Sequence, residues 1–265
     1  MEIQHDGASV YIYSGGKPIQ PELPGILFLH GAANDHSVWS WQSRWFAYHG
    51  FNSLAVDLPG HGRSKGAPLS SIEQLADWTL RLIDSLALST VHLTGHSMGS
   101  LIALETASRA PRSLGKLALI GCAVPMNVSD TLLRTAQDQE AEAISLITGW
   151  SHGPNTLLTG GPLPGMWLPG MNRALMWRST DGVLHRDLLN CQQYSSGLTA
   201  ARKITCPTLL LVGDRDLMTP RKTSHELRQT LLKTREIVLS NAGHAMMNEQ
   251  PDVVLDHLRD FFSGL

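Results

Sequence analysis

The sequence predicts an α/β fold: a doubly wound, mostly parallel sheet with helices on both faces and an inserted helical lid. Three observations support this fold class. Short apolar runs of strand length alternate with segments of helical periodicity, as expected for a parallel sheet. The runs are continuously apolar rather than alternating, which is typical of strands covered on both faces. The alternation stops between about residues 125 and 200, a stretch too long for an ordinary loop.

The strands and helices of this fold can be assigned in order along the chain. Six apolar runs are predicted to be strands: Gly25–Leu29, Ser53–Val56, Thr90–Thr94, Lys116–Ile120, Thr208–Val212 and Glu236–Leu239. Four segments between or after them have helical periodicity: Ser71–Leu86, Met98–Arg109, Pro220–Leu232 and Pro251–Phe262. Val128–Trp150 is also helical in pattern, and a stretch rich in Gly, Pro, Met and Trp follows it. We therefore predict a core of residues 1–124 and 201–265 and a lid of residues 125–200.

Composition excludes several classes of protein. The 265-residue chain is 42% hydrophobic and 17% charged, and its formal net charge is −2, which together indicate a globular protein. Charges of one sign do not cluster, so neither a nucleic-acid nor a membrane partner is expected. The first residues lack the apolar segment of a signal peptide, and no apolar stretch is long enough to span a bilayer. Three cysteines without CxxC spacing favour a reducing, cytoplasmic location.

A Gly-x-Ser-x-Gly motif centres on Ser97, between a predicted strand and a predicted helix. This is the context that a nucleophile elbow requires. Gly95 and Gly99 allow a sharp turn in which backbones pass closely, and the turn would leave Ser97 in a strained conformation. The Met98 amide and the helix N-terminus would then face a developing negative charge. The alternative interpretation is an ordinary helix start with Ser97 as its cap.

Partners for a serine nucleophile follow later strands. A serine hydroxyl needs a base, and the base needs an acid that orients it. Asp214 and Asp216 follow the predicted strand at 208–212, and His244 follows the last strand. The order serine, acid, histidine is the one expected for such a sheet. A second oxyanion donor is expected after the first strong strand, where the candidate is the Ala32 amide, and His30 is interpreted as a brace for that loop.

These motifs resemble those of the α/β-hydrolase fold superfamily, in the branch of small lidded serine hydrolases that includes esterases and lactonases. The resemblance also covers residues 57–64 (DLPGHGRS) and follows the family's order through most of the chain outside the lid. It implies Ser97 as nucleophile, Asp216 as acid and His244 as base, with oxyanion amides from Ala32 and Met98. Asp216 is preferred to Asp214 because the family's acid stands three residues after the glycine that ends the strand. Ser100 departs from the family pattern, since many relatives carry a second glycine there.

The resemblance favours one reaction and leaves others open. Family members that use an aspartate nucleophile, such as dehalogenases and epoxide hydrolases, are excluded by Ser97. The leading hypothesis is therefore hydrolysis of a small, partly apolar carboxylic ester or lactone. Carbon–carbon hydrolases of ring-cleavage products also use serine, but they typically carry an aromatic residue where this chain has Met246. A ligand-binding protein without turnover is the third possibility.

The lid is expected to determine which substrate binds. Five large side chains are predicted to line the pocket: Trp39, Trp150, Met166, Trp167 and Met246. The competing interpretation is that they only pack the lid onto the core. The chain has no HExxH motif and no His/Cys cluster, so neither a metal nor an organic cofactor is expected. The predicted partner is a small-molecule substrate.

Overall fold

A computed structural model describes residues 1–109, 114–162 and 165–264, and its centre is a single eight-stranded sheet. Its strands are β1 (Glu2–His5), β2 (Ala8–Tyr13), β3 (Gly25–Leu29), β4 (Asn52–Val56), β5 (Val91–His96), β6 (Leu114–Ile120), β7 (Thr208–Gly213) and β8 (Thr234–Leu239). Their spatial order is β1-β2-β4-β3-β5-β6-β7-β8. The β1–β2 and β2–β4 pairs are antiparallel, and the six strands β3 through β8 pair in parallel. The carboxyl ends of these six parallel strands therefore meet at one edge.

The described residues form twelve α-helices besides the strands. They are α1 (Ser40–Ala47), α2 (Ile72–Leu86), α3 (Met98–Arg109), α4 (Asp130–Asp138), α5 (Glu140–Ser151), α6 (Pro154–Thr159), α7 (Leu168–Met176), α8 (Val183–Gln193), α9 (Gly197–Ala201), α10 (His225–Thr230), α11 (Met246–Glu249) and α12 (Pro251–Ser263). Short 3-10 helices precede α1 and α10. No helix in the described part of the chain is long and apolar enough to cross a membrane.

Alternate residues of the buried strands pack into two separate hydrophobic cores, one on each face of the sheet. In β3, Leu27 and Leu29 pack with α2 and α3 on one face of the sheet. Ile26 and Phe28 point to the opposite face and pack with α1 and α12. Because successive side chains of a strand point to opposite faces, a strand covered on both sides is apolar at every position. This two-sided burial explains the continuous apolar runs in the sequence.

The helical insertion, residues 125–201 between β6 and β7, has a small core of its own. Its buried members come mainly from α4, α5, α7 and α8, and they include Leu132, Ile144, Met176 and Leu184. Ala33, which follows β3, packs into the same cluster. The insertion is thereby attached to a loop at the carboxyl edge of the sheet.

The predicted fold class is confirmed, and the differences lie in individual elements. All six predicted strands are present, with ends shifted by up to two residues. The β1–β2 hairpin and α1 were not predicted. The predicted helix over 128–150 is two helices that meet at Gln139, and Pro220–Leu232 forms a 3-10 turn followed by the short α10. The division into core and lid domains stays a prediction.

Close approach of α3 to β3 positions the turn between β5 and α3. A Cβ atom on Gly99 would lie 2.5 Å from the His30 carbonyl oxygen and even nearer to that of Leu29. A Cβ atom on Gly95 would collide with the Gly99 carbonyl group. Only glycine at these two positions lets the chain reverse so tightly at the end of β5.

We predict that Gly99→Ala destabilises the protein, because the added methyl group must push α3 away from β3. The expected loss in the free energy of unfolding is about 1–3 kcal/mol, measured by urea denaturation. Gly149→Ala is the matched control, since a Cβ atom there meets nothing within 4 Å and the residue lies inside α5. That control should be neutral or stabilising by up to about 1 kcal/mol. Equal effects of the two substitutions would contradict the packing account.

Candidate active site

Ser97 lies in the turn between β5 and α3 with a left-handed backbone, at φ 54°. Its amide donates to the Ile120 carbonyl oxygen over 3.0 Å. Its own carbonyl oxygen accepts from the Ser100 amide (2.8 Å) and from the Ser100 hydroxyl (2.5 Å). Ser100 is fully buried. The serine that departs from the family pattern therefore fits the tight turn and adds a hydrogen bond to it.

Asp216 and His244 come together beside this turn. His244 Nδ1 lies 2.8 Å from Asp216 Oδ2, and both side chains are buried. The other carboxylate oxygen accepts from the Met218 and Thr219 amides, and the Thr219 hydroxyl donates to Oδ2 over 2.7 Å. Burial alone would raise the pKa of Asp216, but His244 and the donors from Thr219 outweigh it and lower the pKa to about 2. Asp216 is thus an ionised carboxylate that accepts a hydrogen bond from the His244 ring. Asp214, the alternative acid in the sequence, is exposed.

The second ring nitrogen of His244 is left as an acceptor. Nδ1 must carry the proton that it donates to Asp216, so Nε2 holds the lone pair. Nε2 is buried and has no hydrogen-bond partner among the described residues. Both His244 and Ser97 line the same cavity. A hydrogen bond between them is not made here, and such bonds often tighten only when substrate is bound.

His96 links the turn at Ser97 to the loop that carries His244, residues 240–245 between β8 and α11, which is called the histidine loop below. The sequence did not suggest this role. Its Nε2 atom lies 2.9 Å from the His244 carbonyl oxygen, so this nitrogen must be the donor. Burial, with the nearby charge of His244, lowers the pKa of His96 to about 3 and keeps the ring neutral. The ring packs edge-on against Trp39. The residue before the nucleophile therefore holds the backbone of the base.

The two predicted oxyanion donors, the backbone amides of Ala32 and Met98, have no hydrogen-bond acceptor within the described part of the protein. Ala32 lines the cavity, and Met98 is the first residue of α3. His30 braces the first donor: its Nδ1 donates to the Gly31 carbonyl oxygen over 2.8 Å, and Nε2 accepts from the Leu58 amide. The braced carbonyl belongs to the same peptide unit as the Ala32 N–H.

Glu249 joins the histidine loop to the helical insertion. One of its carboxylate oxygens accepts from the Gly243 amide (2.6 Å) and the other from the Gly153 amide (2.7 Å). The Ala245 amide also donates to the Ser151 carbonyl oxygen over 2.8 Å. Both neighbours of His244 are therefore connected to the segment at 151–153, Ala245 directly and Gly243 through Glu249. Sequence reasoning missed Glu249 because its partners are backbone groups, which leave no residue pattern.

A cavity of about 260 Å³ opens between the sheet edge and the helical insertion. The insertion supplies most of its apolar walls: Met126, Val128, Leu132, Ile147, Trp150, Met176, Leu184 and Leu188. Polar groups on the lining include the side chains of Asn34, Asn172 and Asn248. None of the described lining residues is Asp, Glu, Lys or Arg.

One of the five predicted pocket residues, Trp150, lines the cavity, and the other four are not among its described lining residues. Trp39 and Met246 are fully buried in the core between the sheet and α12. Trp167 is 58% exposed and lies over Gly170 at the start of α7. Met166 is half-buried. Packing, which composition does not reveal, places Trp39 and Met246 in the core against the sheet and leaves Trp167 on the surface.

Asp35, His36 and Asp57 bring three potential metal-ligating atoms together beside the first loop. Each is already hydrogen-bonded within the protein. The His36 amide and ring both donate to Asp57, the Arg63 amide donates to the other Asp57 oxygen, and Arg178 pairs with Asp35. The cluster's evident role is to hold these loops in place.

Several histidines are buried as neutral rings. Burial, followed by the charge of His61, lowers the pKa of His30 to about 4. Burial, followed by the charge of Lys116, lowers the pKa of His92 to about 4. Like His96, both rings are uncharged in the folded protein at neutral pH. In the unfolded chain, where the pKa of histidine is about 6.5, they would become charged as the pH falls below neutral.

Comparison with known proteins shows what the chain resembles. A family model described as "Alpha/beta hydrolase family" matches residues 26–257. The (E)-2-((N-methylformamido)methylene)succinate hydrolase of Acinetobacter baylyi is 24% identical, with 89% of each chain covered. Carboxylesterase YbfK of Bacillus subtilis is 26% identical over 97% of this chain and 85% of its own. The enol-lactonase of Burkholderia xenovorans LB400 superposes with a TM-score of 0.86 at 21% identity, covering 99% of this chain and 100% of its own.

We predict that acid destabilises the protein well above the pH at which carboxylates protonate. His30, His92 and His96 have folded-state pKa values below the unfolded value of about 6.5, so unfolding takes up protons as the pH falls towards 4. The free energy of unfolding should drop by up to about 1.4 kcal/mol per pH unit for each of these rings. Urea denaturation at intervals between pH 7 and pH 4.5 measures the slope.

His92→Phe provides the control for this prediction. The substitution keeps an aromatic ring stacked on Phe262 and removes one titrating group. It should reduce the pH slope by about one proton, that is, about 1.4 kcal/mol per pH unit. A stability that does not change with pH over this range would contradict the neutral state of the buried rings.

Proposed function

The chain belongs to the alpha/beta hydrolase family and is a hydrolase, and we propose that it cleaves a small, partly apolar carboxylic ester or lactone through an acyl-enzyme on Ser97. The observation that carries the proposal is the convergence on one cavity of a left-handed Ser97 and a His244 ring whose Nε2 is a free acceptor. The relatives named as a carboxylesterase and an enol-lactonase are consistent with this reaction class.

In the proposed acylation step, the Ser97 oxygen attacks the carbonyl carbon of the ester. His244 Nε2 takes the hydroxyl proton, and the Asp216 carboxylate stabilises the ring cation that forms. The carbonyl π electrons move to oxygen, and collapse of the tetrahedral intermediate expels the alcohol, which takes the proton from His244. Hydrogen bonds from Thr219 and two backbone amides keep Asp216 ionised and hold it against the ring.

The amides of Ala32 and Met98 are proposed to bind the oxyanion of this intermediate. Their N–H groups have no acceptor among the described residues, so they are available to the substrate. Prepositioned donors of this kind contribute more in the transition state than in the ground state, because the charge on oxygen develops only during attack. Deacylation repeats the steps with water as the nucleophile and His244 as the base, releasing the carboxylic acid.

The cavity suggests the class of acyl group. Its walls are apolar with a few amide side chains, and a charged acyl group would lose hydration there without gaining a partner. We propose that the helical insertion acts as a lid over the acyl group, and that Trp150 and Met176 contact it. The reaction uses only side chains, backbone amides and water. Since all three cysteines are free thiols, a reducing, cytoplasmic setting is also proposed.

Replacing the nucleophile tests the reaction itself. Ser97→Ala should lower kcat/KM for p-nitrophenyl esters and aromatic lactones by at least about a thousandfold, because no nucleophile remains for acylation. Ser108→Ala is the matched control, since Ser108 lies on the same helix, α3, and donates only to the Glu105 carbonyl oxygen. Equal ester hydrolysis by wild type and Ser97→Ala would contradict the proposal. Turnover of a vinylogous 1,5-diketone without ester cleavage would instead favour a carbon–carbon hydrolase.

Acyl charge tests the proposed pocket. A p-nitrophenyl ester of butyric acid should have a kcat/KM at least about tenfold higher than the corresponding hemisuccinate, because the second carboxylate would be desolvated without a partner. Met126→Arg adds a cation to the cavity wall and should narrow this ratio. A wild-type preference for the anionic ester would contradict the assignment of this cavity as the acyl site.

A further inference from the structure

Asp187 is a buried carboxylate of the helical insertion that reaches into the sheet domain. It lies in α8 and is 1% exposed. Its Oδ2 atom accepts from the Ala33 amide over 2.9 Å and lies 2.8 Å from His61 Nε2. A second residue of the insertion, Ser179, holds the other side of Ala33: its hydroxyl donates to the Ala33 carbonyl oxygen over 3.0 Å.

Ala33 needs these hydrogen bonds because its backbone is unusual. Its φ is 51°, a left-handed conformation that costs a residue with a Cβ atom some free energy unless its surroundings hold it. Ala33 directly follows Ala32, whose amide is the proposed oxyanion donor. The direction of the Ala32 N–H is thus set from one side by His30, through the Gly31 carbonyl, and from the other side by the contacts of Ala33.

His61 places a positive charge beside the Asp187 carboxylate. Its Nδ1 lies 3.0 Å from the Pro59 carbonyl oxygen, and its Nε2 faces the Asp187 carboxylate. Both neighbours are acceptors, so the ring must donate from both nitrogens and is a cation paired with Asp187. Burial opposes this charge, but Asp187 outweighs it and raises the pKa of His61. The ion pair fixes the carboxylate that in turn holds Ala33.

We propose that Asp187, assisted by Ser179, is a positioning residue for the oxyanion hole: the helical insertion clamps Ala33 and so aims the Ala32 amide at the substrate oxygen. This inference rests on the proposed serine hydrolase function. It means that the insertion takes part in catalysis as well as forming the wall of the acyl pocket. If the Ala32 amide were free to move, its hydrogen bond to the substrate oxygen would weaken. The loss would be greatest in the transition state, when the negative charge on oxygen is largest.

Asp187→Asn tests the proposal with little change of shape. The amide oxygen can take the place of Oδ2 but carries no negative charge, so it accepts more weakly from the Ala33 N–H and leaves the His61 cation without its counter-ion. With p-nitrophenyl butyrate, kcat should fall by about 10- to 100-fold while KM stays within about twofold. Glu105→Gln is the matched control, because Glu105 is also a buried carboxylate but pairs with Tyr194 and Arg109 away from the cavity. Its kcat should equal that of the wild type.

A thionoester supplies a readout that a general loss of packing would not change. Sulfur accepts hydrogen bonds more weakly than oxygen, so an intact oxyanion hole favours the oxygen ester over its thionoester analogue. In Asp187→Asn this ratio of kcat values should fall by a factor similar to the loss in kcat. In Glu105→Gln the ratio should stay at the wild-type value.

Ser179→Ala keeps the test decisive if Asp187→Asn does not fold. It removes the donor to the Ala33 carbonyl and should lower both kcat and the oxygen-to-sulfur ratio by about threefold or more, with KM unchanged. Ser97-dependent turnover in the wild type with unchanged kcat in the folded variants would overturn this inference alone. Absence of Ser97-dependent turnover in the wild type would overturn the proposed function and this inference with it.

Discussion

The left-handed backbone of Ser97 depends on how closely α3 can approach the sheet. A non-glycine residue at positive φ costs about 1–3 kcal/mol, and it persists only where neighbouring structure holds it. Here Gly95 and Gly99 let the turn close, the Ile120 carbonyl accepts the Ser97 amide, and Ser100 holds the Ser97 carbonyl. With the backbone held in this way, the serine side chain faces the cavity, and the start of α3 presents a free amide beside it.

The loop after β3 and the loop that carries His244 must meet this turn, and buried polar groups align both. His30 braces the loop after β3, His96 holds the His244 backbone, and Glu249 connects the loop at Gly243 to Gly153, between α5 and α6. His30 and His96 work as neutral rings, in which one nitrogen donates to a backbone carbonyl. The exception is the charged pair of His61 and Asp187, where a carboxylate of the insertion approaches the same loops. Backbone groups near the cavity are therefore held by polar contacts from both the sheet domain and the insertion.

The sequence predicts the fold well and supplies the candidate catalytic residues, because both depend on local patterns. Apolar runs mark strands that are buried on both faces, and the serine, acid and histidine each follow a strand in a fixed order. One local signal was overlooked: Asp6 and Gly7, both at positive φ, form the tight turn of the β1–β2 hairpin, and Asp-Gly is a strong hairpin signal. By contrast, the cavity lining depends on how helices of the insertion pack. Neither the burial of Met246 nor the exposure of Trp167 has a signature in residue spacing.

The central claim is that Ser97 carries the acyl group during turnover, and trapping that intermediate tests it most directly. A p-nitrophenyl ester with a slowly hydrolysed acyl group would be mixed with the protein, quenched in acid and mapped by peptide mass spectrometry. We expect one acyl adduct per chain, on the peptide that contains Ser97, together with a burst of p-nitrophenol of equal amount. Turnover without an adduct, or an adduct on another residue, would contradict it.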